Sequence, residues 1–211
     1  MKFSAVILAG GKSSRMGRDK AWLPLDSQTL LARQIELVRG LAPADIFISG
    51  RADTDYRSLG CPVLTDEFPD AGPLAGIAVA LETARAPLLL VLAVDLPHMT
   101  TDVLERLLAA CEPERGVVPR LAGQIEPLTA VYPSVSAALA NAQLTTGRLA
   151  VRDFAARCEQ TGLVRYRDLP PELTGSFANW NSPADLAALP TGSGLASGQG
   201  VGARSRLSPS A

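Results

Sequence analysis

The sequence of 211 residues is poor in the residue types that mark several common protein classes, with three cysteines and one histidine. Cys61, Cys111 and Cys158 are widely spaced and have no partner histidines, so neither a disulfide framework nor a zinc site is supported. We expect all three thiols to be buried for structural reasons. The single histidine, His98, does not stand beside a nucleophile at a strand-to-helix turn, so a serine–histidine–aspartate device is not indicated.

Net charge and long apolar runs are lacking as well. Lys+Arg 20 against Asp+Glu 21 leave a net charge of -1, which gives no global attraction to nucleic acid or acidic lipid. No apolar run approaches the roughly 18 residues that would span a bilayer. The segment Met1–Ser4 has one cation and precedes a short apolar stretch that ends in glycine, so it lacks the features of a signal peptide. We expect a cytoplasmic protein without nucleic-acid or membrane partners.

The composition is that of a globular domain, with 47% apolar and 19% charged residues. The length fits one domain with a single substantial core, which we place at residues 1–189. In residues 190–211, 12 of 22 residues are glycine, serine or proline. With so few large apolar residues, we expect this segment to be a flexible tail.

A β-rich run, Phe3–Leu8, leads directly into paired glycines, two hydroxyls and four cations. This order is typical of a strand that ends in a phosphate-binding loop, because glycine lets backbone amides approach anionic oxygens. The P-loop pattern fails because Val6 stands where its first glycine belongs, and the dinucleotide GxGxxG pattern fails because Lys12 replaces its second glycine.

Apolar periodicity alternates between strand and helix along the rest of the chain, which predicts a three-layer α/β fold with a mostly parallel sheet. The seven-residue run Leu88–Val94 predicts a central parallel strand that is buried on both faces. The segment from Gly123 to Tyr132 predicts a hairpin arm or an antiparallel strand. The other predicted elements are helices at Gln28–Leu41, from Gly72 onward, Thr101–Cys111, Pro133–Gln143 and Gly147–Cys158, and strands at Asp45–Ser49, Pro62–Thr65, Gly116–Pro119 and Leu163–Tyr166.

Two aspartates directly follow predicted strands, at the edge where open α/β sheets bind ligands. Asp95 follows the central strand, and one or two carboxylates with substrate phosphates are the usual ligands of Mg²⁺. Asp66 follows the third strand, where it is either a ligand-binding residue or a turn cap. We expect a nucleotide crevice at the ends of the first, third and fourth strands.

The segment from Leu8 to Lys20 resembles the LAGGxSxRMGxDK signature of nucleotidyltransferases of the MobA-like, molybdenum cofactor guanylyltransferase type. Further matches lie at Asp66, Gly72–Gly76, Asp95 and Asn179–Pro183, so the resemblance covers residues 3 to 189. It implies a Rossmann-like fold and transfer of GMP from GTP to molybdopterin carrying molybdenum, with Mg²⁺ and release of pyrophosphate. GTP and molybdopterin are then the expected partners, with molybdoenzyme maturation proteins as further candidates.

The resemblance also implies roles for individual residues. The catalytic residues would be Arg15, Lys20 and Asp95, with Asp95 as the metal ligand and the Gly10 and Gly11 amides on the triphosphate. Asn179 and Asn181 would bind the acceptor, although a structural role is equally open. The nucleotide would be bound by Leu8, Ala9, Gly10, Gly11, Lys20, Asp66, Gly72, Pro73, Leu74 and Asp95.

Several alternatives stay open. The strand that ends at Ser49 lacks the asparagine that family members use on the nucleotide, so Ser49 substitutes for it or the contact is absent. Glu126 either faces substrate or is a solvated loop acid. The related cytidylyltransferases use the same chemistry on CTP, although the LAGG and GPLAG sequences favour guanine. A sugar-phosphate nucleotidyltransferase and a nucleotide-binding module without turnover are the remaining candidates.

Overall fold

The structure is a computed structural model that describes residues 1–10, 20–25, 27–51, 54–65, 68 and 71–180. The elements follow one another in the order in which they are named. They are β1 (Phe3–Leu8), β2 (Pro24–Leu25), β3 (Gln28–Thr29), α1 (Leu30–Arg39), β4 (Ile46–Ser49), β5 (Val63–Leu64), α2 (Pro73–Thr83), β6 (Leu88–Ala93), α3 (Thr101–Ala109), β7 (Gly116–Leu121), β8 (Gln124–Ile125), β9 (Thr129–Pro133), α4 (Ala137–Thr145), α5 (Val151–Gln160) and β10 (Val164–Asp168).

The main sheet has the strand order β10-β7-β9-β6-β1-β4-β5, with β8 paired to β7. Strands β1, β4, β5 and β6 form parallel pairs, as do β7 and β10. Strand β9 runs antiparallel to both β6 and β7. The parallel strands therefore end at one edge of the sheet, and β9 begins there. We call this edge the carboxyl edge.

The sheet is covered by helices on both faces, which confirms the predicted three-layer fold. Alternate residues of β6 face opposite layers, with Leu89 and Val91 on one side and Leu88, Leu90 and Leu92 on the other. Helices α2, α4 and α5 cover the first side, while α1 and α3 cover the second. Every residue of β6 is buried, as expected for a strand with an apolar core on both faces.

The structure corrects three details of the sequence prediction. The helix expected from Gln28 begins at Leu30, because Gln28 and Thr29 pair with Pro24 and Leu25 as a short hairpin. Thr29 then caps α1 by accepting a hydrogen bond from the Ala32 amide. Strand β6 is parallel to only one neighbour, since β9 on its other side is antiparallel. Strand β4 lies between β1 and β5, so its end also contributes to the carboxyl edge.

All three cysteines are free thiols. Cys111 and Cys158 are buried as predicted, and burial raises the pKa of each thiol to about 12. Cys61 is only partly buried, which differs from the prediction. In the part of the chain that the structure describes, no helix is long and apolar enough to cross a membrane.

Candidate active site

Asp95 lies at the carboxyl edge, just beyond the end of β6. The last residue of β6 and the residue after it are bonded to the segment before β9 and to β1, respectively. The Val94 amide donates to the Leu8 carbonyl at 3.2 Å, and the Ala93 amide donates to the Leu128 carbonyl at 2.8 Å. The Asp95 side chain is 24% exposed. The backbone thus fixes a partly exposed carboxylate at the end of the central strand.

Lys20 is the cation that the structure places against this carboxylate. Its Nζ lies 3.1 Å from Asp95 Oδ2, and its side chain is 21% exposed. Lys20 begins a short 3₁₀ helix that ends at Trp22, and the next residue, Leu23, accepts a hydrogen bond from the Leu30 amide at the start of α1. The signature and the end of the central strand, 75 residues apart in sequence, therefore meet at this edge.

Helix α1 supports the turn after Asp95 through two polar side chains. The fully buried Gln34 donates from Nε2 to the Leu96 carbonyl at 2.7 Å, and Arg33 donates to the Met99 carbonyl at 2.9 Å. Neither residue was among the predicted site residues. The available signal was that Gln34 occupies a position of the apolar stripe of α1, where a polar residue requires a buried partner.

An aromatic pair stabilises the segment that contains Lys20. The Trp22 and Tyr56 rings are stacked with centroids 5.9 Å apart, and the buried Tyr56 hydroxyl accepts a hydrogen bond from the Arg51 amide at 3.1 Å. A Cβ atom on Gly50 would lie 2.4 Å from the Tyr56 ring, so glycine is required there. The pair connects the 3₁₀ helix to the end of β4.

The end of β1 differs from the prediction in one respect. The Ala9 and Gly10 amides both donate to the Ser49 carbonyl, at 2.8 Å and 2.9 Å. The Gly10 amide therefore extends the pairing of β1 with β4. We had expected this amide to donate to a phosphate, and the structure corrects that prediction. The side chains of Leu8 and Ala9 are also buried, so Gly10 is the exposed residue among these three.

The GPLAG segment begins α2, as predicted. Gly72 has φ 68° and precedes Pro73 at the first helical position, and such a φ favours glycine. The Leu74 side chain is fully buried in the core, so the main chain is the part of Leu74 that could contact a nucleotide. A Cβ atom on Gly76 would lie 2.0 Å from Ser49 Oγ. The last glycine therefore lets α2 pack closely on β4, and Ser49 Oγ lies against this helix.

Besides the segments of Asp95 and Lys20, a segment near the end of the described chain lies at this edge. The Trp180 amide donates to the Asp95 carbonyl at 3.0 Å, and the Trp180 side chain is buried. Asn179, the preceding residue, is exposed. Asn179 therefore directly precedes a residue that is bonded to Asp95, at the same edge as Lys20.

Glu126 lies at this edge in the turn between β8 and β9. It is partly buried, so it is not the fully solvated loop acid that was one alternative. Burial raises the pKa of its carboxyl, and the charge of Arg152 acts in the opposite direction.

The remaining predicted site residues are Gly11, Arg15, Asp66 and Asn181, and they lie outside the described residues, as does the predicted tail. Their proposed roles rest on the sequence. Among the described candidates, Lys20, Asp95, Gly10 and Asn179 lie at one edge of the sheet, with α2 beginning on its β4 side.

Comparison with known proteins supports the resemblance that the sequence signature indicated. Residues 5–161 match the family model described as the MobA-like NTP transferase domain. A probable molybdenum cofactor guanylyltransferase of Opitutus terrae is 38% identical over 185 residues, covering 86% of this chain and 92% of the relative. A second relative with that description, from Carboxydothermus hydrogenoformans, is 33% identical over 189 residues, covering 88% of this chain and 94% of its own.

Solved structures share the fold. The molybdopterin-guanine dinucleotide biosynthesis protein A of Archaeoglobus fulgidus superposes with a TM-score of 0.67 at 24% identity, covering 87% of this chain and 95% of that chain. A nucleotidyl transferase from Methanothermobacter thermautotroptrophicus gives a TM-score of 0.70 at 18% identity, covering 88% and 94%. The family match spans well over half of the sequence, and the sheet edge carries the residues of its signature that the structure describes. The chain therefore belongs to the MobA-like NTP transferase family.

Proposed function

We propose that this chain transfers GMP from GTP to the phosphate of molybdopterin carrying molybdenum, which yields the guanine dinucleotide form of the cofactor and pyrophosphate. The observation that carries the proposal is the 3.1 Å contact between Lys20 of the signature and Asp95 at the end of the central strand. A cation and a carboxylate held together at a ligand-binding sheet edge suit a reaction between two anionic phosphates. Molybdoenzyme maturation proteins are the proposed recipients of the product.

Asp95 is suited to hold a divalent cation. Oδ2 accepts the Lys20 contact, and Oδ1 has no hydrogen bond within the described part of the chain, so a hard oxygen ligand is available at the edge. We assign Mg²⁺ to Asp95 together with substrate phosphates. When bound, Mg²⁺ would neutralise phosphate charge and reduce the repulsion between the two substrates.

The protein residues orient the reactants. Lys20 and Arg15 would bind the triphosphate. The Gly11 amide would also donate to it, without the Gly10 amide, which is bonded to Ser49. The acceptor phosphate oxygen attacks the α-phosphorus, the bond to the bridging oxygen breaks, and pyrophosphate leaves with that electron pair. Cys111 and Cys158 are buried thiols with pKa about 12, so neither provides a thiolate for a covalent intermediate.

The two substrates are assigned to opposite sides of Asp95. The nucleotide base would lie beside Gly72, Pro73 and the main chain of Leu74, where α2 begins. Gly10, at the end of β1, supports the placement of the nucleotide. A Cβ atom on Gly10 would meet its nearest described protein atom at 3.6 Å, which is an ordinary contact. The described protein therefore leaves room at Gly10, and we assign that room to close approach of the nucleotide. Asn179 and Asn181 would contact the acceptor.

Pyrophosphate release tests this proposal when GTP and CTP are compared, each with Mg²⁺ and molybdenum-bearing molybdopterin. We expect release with GTP that depends on the acceptor and falls at least about a hundredfold in Asp95→Ala. Release with CTP in place of GTP would assign the chain to the cytidylyl reaction. No release with either nucleotide would contradict the proposal and favour a binding function.

A further inference from the structure

Glu126 occupies a turn that leads directly to the reaction edge. The turn connects β8 to β9 and includes Leu128, whose carbonyl accepts the Ala93 amide at 2.8 Å. Ala93 is the last residue of β6, and Asp95 follows it closely. The Glu126 turn is therefore bonded to the strand that leads into the proposed catalytic residue, Asp95.

Three hydrogen bonds hold the backbone of this turn in place. The Glu126 amide donates to the Pro119 carbonyl at 2.9 Å, and the Glu126 carbonyl accepts from the Thr129 amide at 3.2 Å. The hydroxyl of the fully buried Tyr132 donates to the Pro127 carbonyl at 2.9 Å. A turn fixed in this way can hold a side chain in place before a ligand arrives.

The Glu126 carboxylate has no such partner. It is partly buried, and within the described ranges no hydrogen bond or ion pair reaches its oxygens. Arg152 is near enough to affect its pKa, but the guanidinium donates to Gln124 Oε1 at 3.3 Å instead. A carboxylate that has lost part of its water without gaining donors is destabilised. Donors supplied by a ligand would remove that cost.

We propose that Glu126 binds the pterin ring of the acceptor, which rests on the function proposed above. A carboxylate accepts two parallel hydrogen bonds from a 2-amino-4-oxopyrimidine edge, namely a ring N–H and the adjacent amino group. Pterin and guanine both present this edge. Helix α2, with the proposed base site, packs on β4 through Gly76, whereas the Glu126 turn lies on the β9 side of β6. The position of Glu126 thus assigns it to the acceptor.

Steady-state kinetics of Glu126→Gln test the assignment, because glutamine keeps the shape but replaces one acceptor oxygen with a donor. The acceptor is varied at saturating GTP, and GTP is then compared with ITP, which lacks the 2-amino group. We expect the KM for molybdenum-bearing molybdopterin to rise about 10- to 100-fold, while the preference for GTP over ITP stays as in the wild type. Glu126→Asp retains the charge and should recover part of the affinity.

Glu105→Gln, on the exposed face of α3, is the matched control and should leave both quantities unchanged. An unchanged acceptor KM in an active Glu126→Gln protein would overturn this assignment alone. Loss of the GTP preference with an unchanged acceptor KM would also overturn it, and would place guanine against Glu126. A wild-type chain that releases no pyrophosphate would remove the proposed function and this assignment with it.

Discussion

The close approach of α2 to β4 at Gly76 gives a prediction that opposes helix propensity. Replacing glycine by alanine inside a helix normally stabilises a protein by about 1 kcal/mol. At Gly76 the new Cβ would lie 2.0 Å from Ser49 Oγ and 2.8 Å from Ser49 Cβ. The hydroxyl can rotate, but the Ser49 Cβ is fixed to the strand, so the helix must move. We expect Gly76→Ala to lower the free energy of unfolding by about 2 kcal/mol.

Thermal unfolding measures this effect, as a fall in Tm of about 4–8 °C for a domain of this size. Ser49→Gly removes both clashing atoms, so the Gly76→Ala/Ser49→Gly protein should lose less stability than the two single changes predict, with a coupling of about 1–2 kcal/mol. Gly40→Ala is the control, because φ at Gly40 is -60° and the nearest atom to a Cβ would be 3.4 Å away. A Gly76→Ala protein as stable as the wild type would show that the helix does not depend on close packing against Ser49.

Three further predictions follow from the same geometry. Gln34→Leu removes the side-chain donor to the Leu96 carbonyl, which keeps the Met99 amide as its other donor. It should therefore cost about 0.5–1.5 kcal/mol of stability in chemical unfolding and also raise the Mg²⁺ concentration needed for half-maximal turnover. Gly10→Ala should unfold like the wild type but bind GTP at least about tenfold more weakly by calorimetry, because a Cβ fits the protein and obstructs the ligand. The thiols of Cys111 and Cys158 have a pKa raised from 9.0 to about 12 by burial, so the folded state keeps protons that the unfolded state loses. The free energy of unfolding should therefore fall as pH rises from 9 towards 12. The fall should be smaller in the variant with both cysteines replaced by alanine.

The main elements of the sheet could be predicted because their sequences have few alternatives. Leu88–Val94 is a continuous apolar run, and a strand buried on both faces is the structure that suits it. Asp95 follows that run directly, so its place at the carboxyl edge also follows from the sequence. The structure confirms both, and it adds the contact with Lys20, which pattern alone could not measure.

Other features depend on tertiary contacts that a linear pattern does not encode. The antiparallel direction of β9 was predicted, but its pairing with β6 was not, because the apolar alternation of a strand does not name its neighbour. The predicted use of the Gly10 amide was wrong because Ser49, distant in sequence, supplies a carbonyl for it. Gln34 was overlooked because its partner, the Leu96 carbonyl, lies on another element. Each case concerns a backbone group whose partner is set only when the chain has folded.

The transfer of an isotopic label from GTP to the acceptor is the most direct test of the proposed function. GTP labelled at the α-phosphate is incubated with Mg²⁺, molybdenum-bearing molybdopterin and either the wild type or Asp95→Asn. The proposed function predicts that the wild type transfers label at the α-phosphate to the dinucleotide product, whereas label at the γ-phosphate appears only in pyrophosphate. Asp95→Asn should transfer at least about a hundredfold less label. Undiminished transfer by Asp95→Asn, or label that never leaves the free nucleotide pool with the wild type, would contradict it.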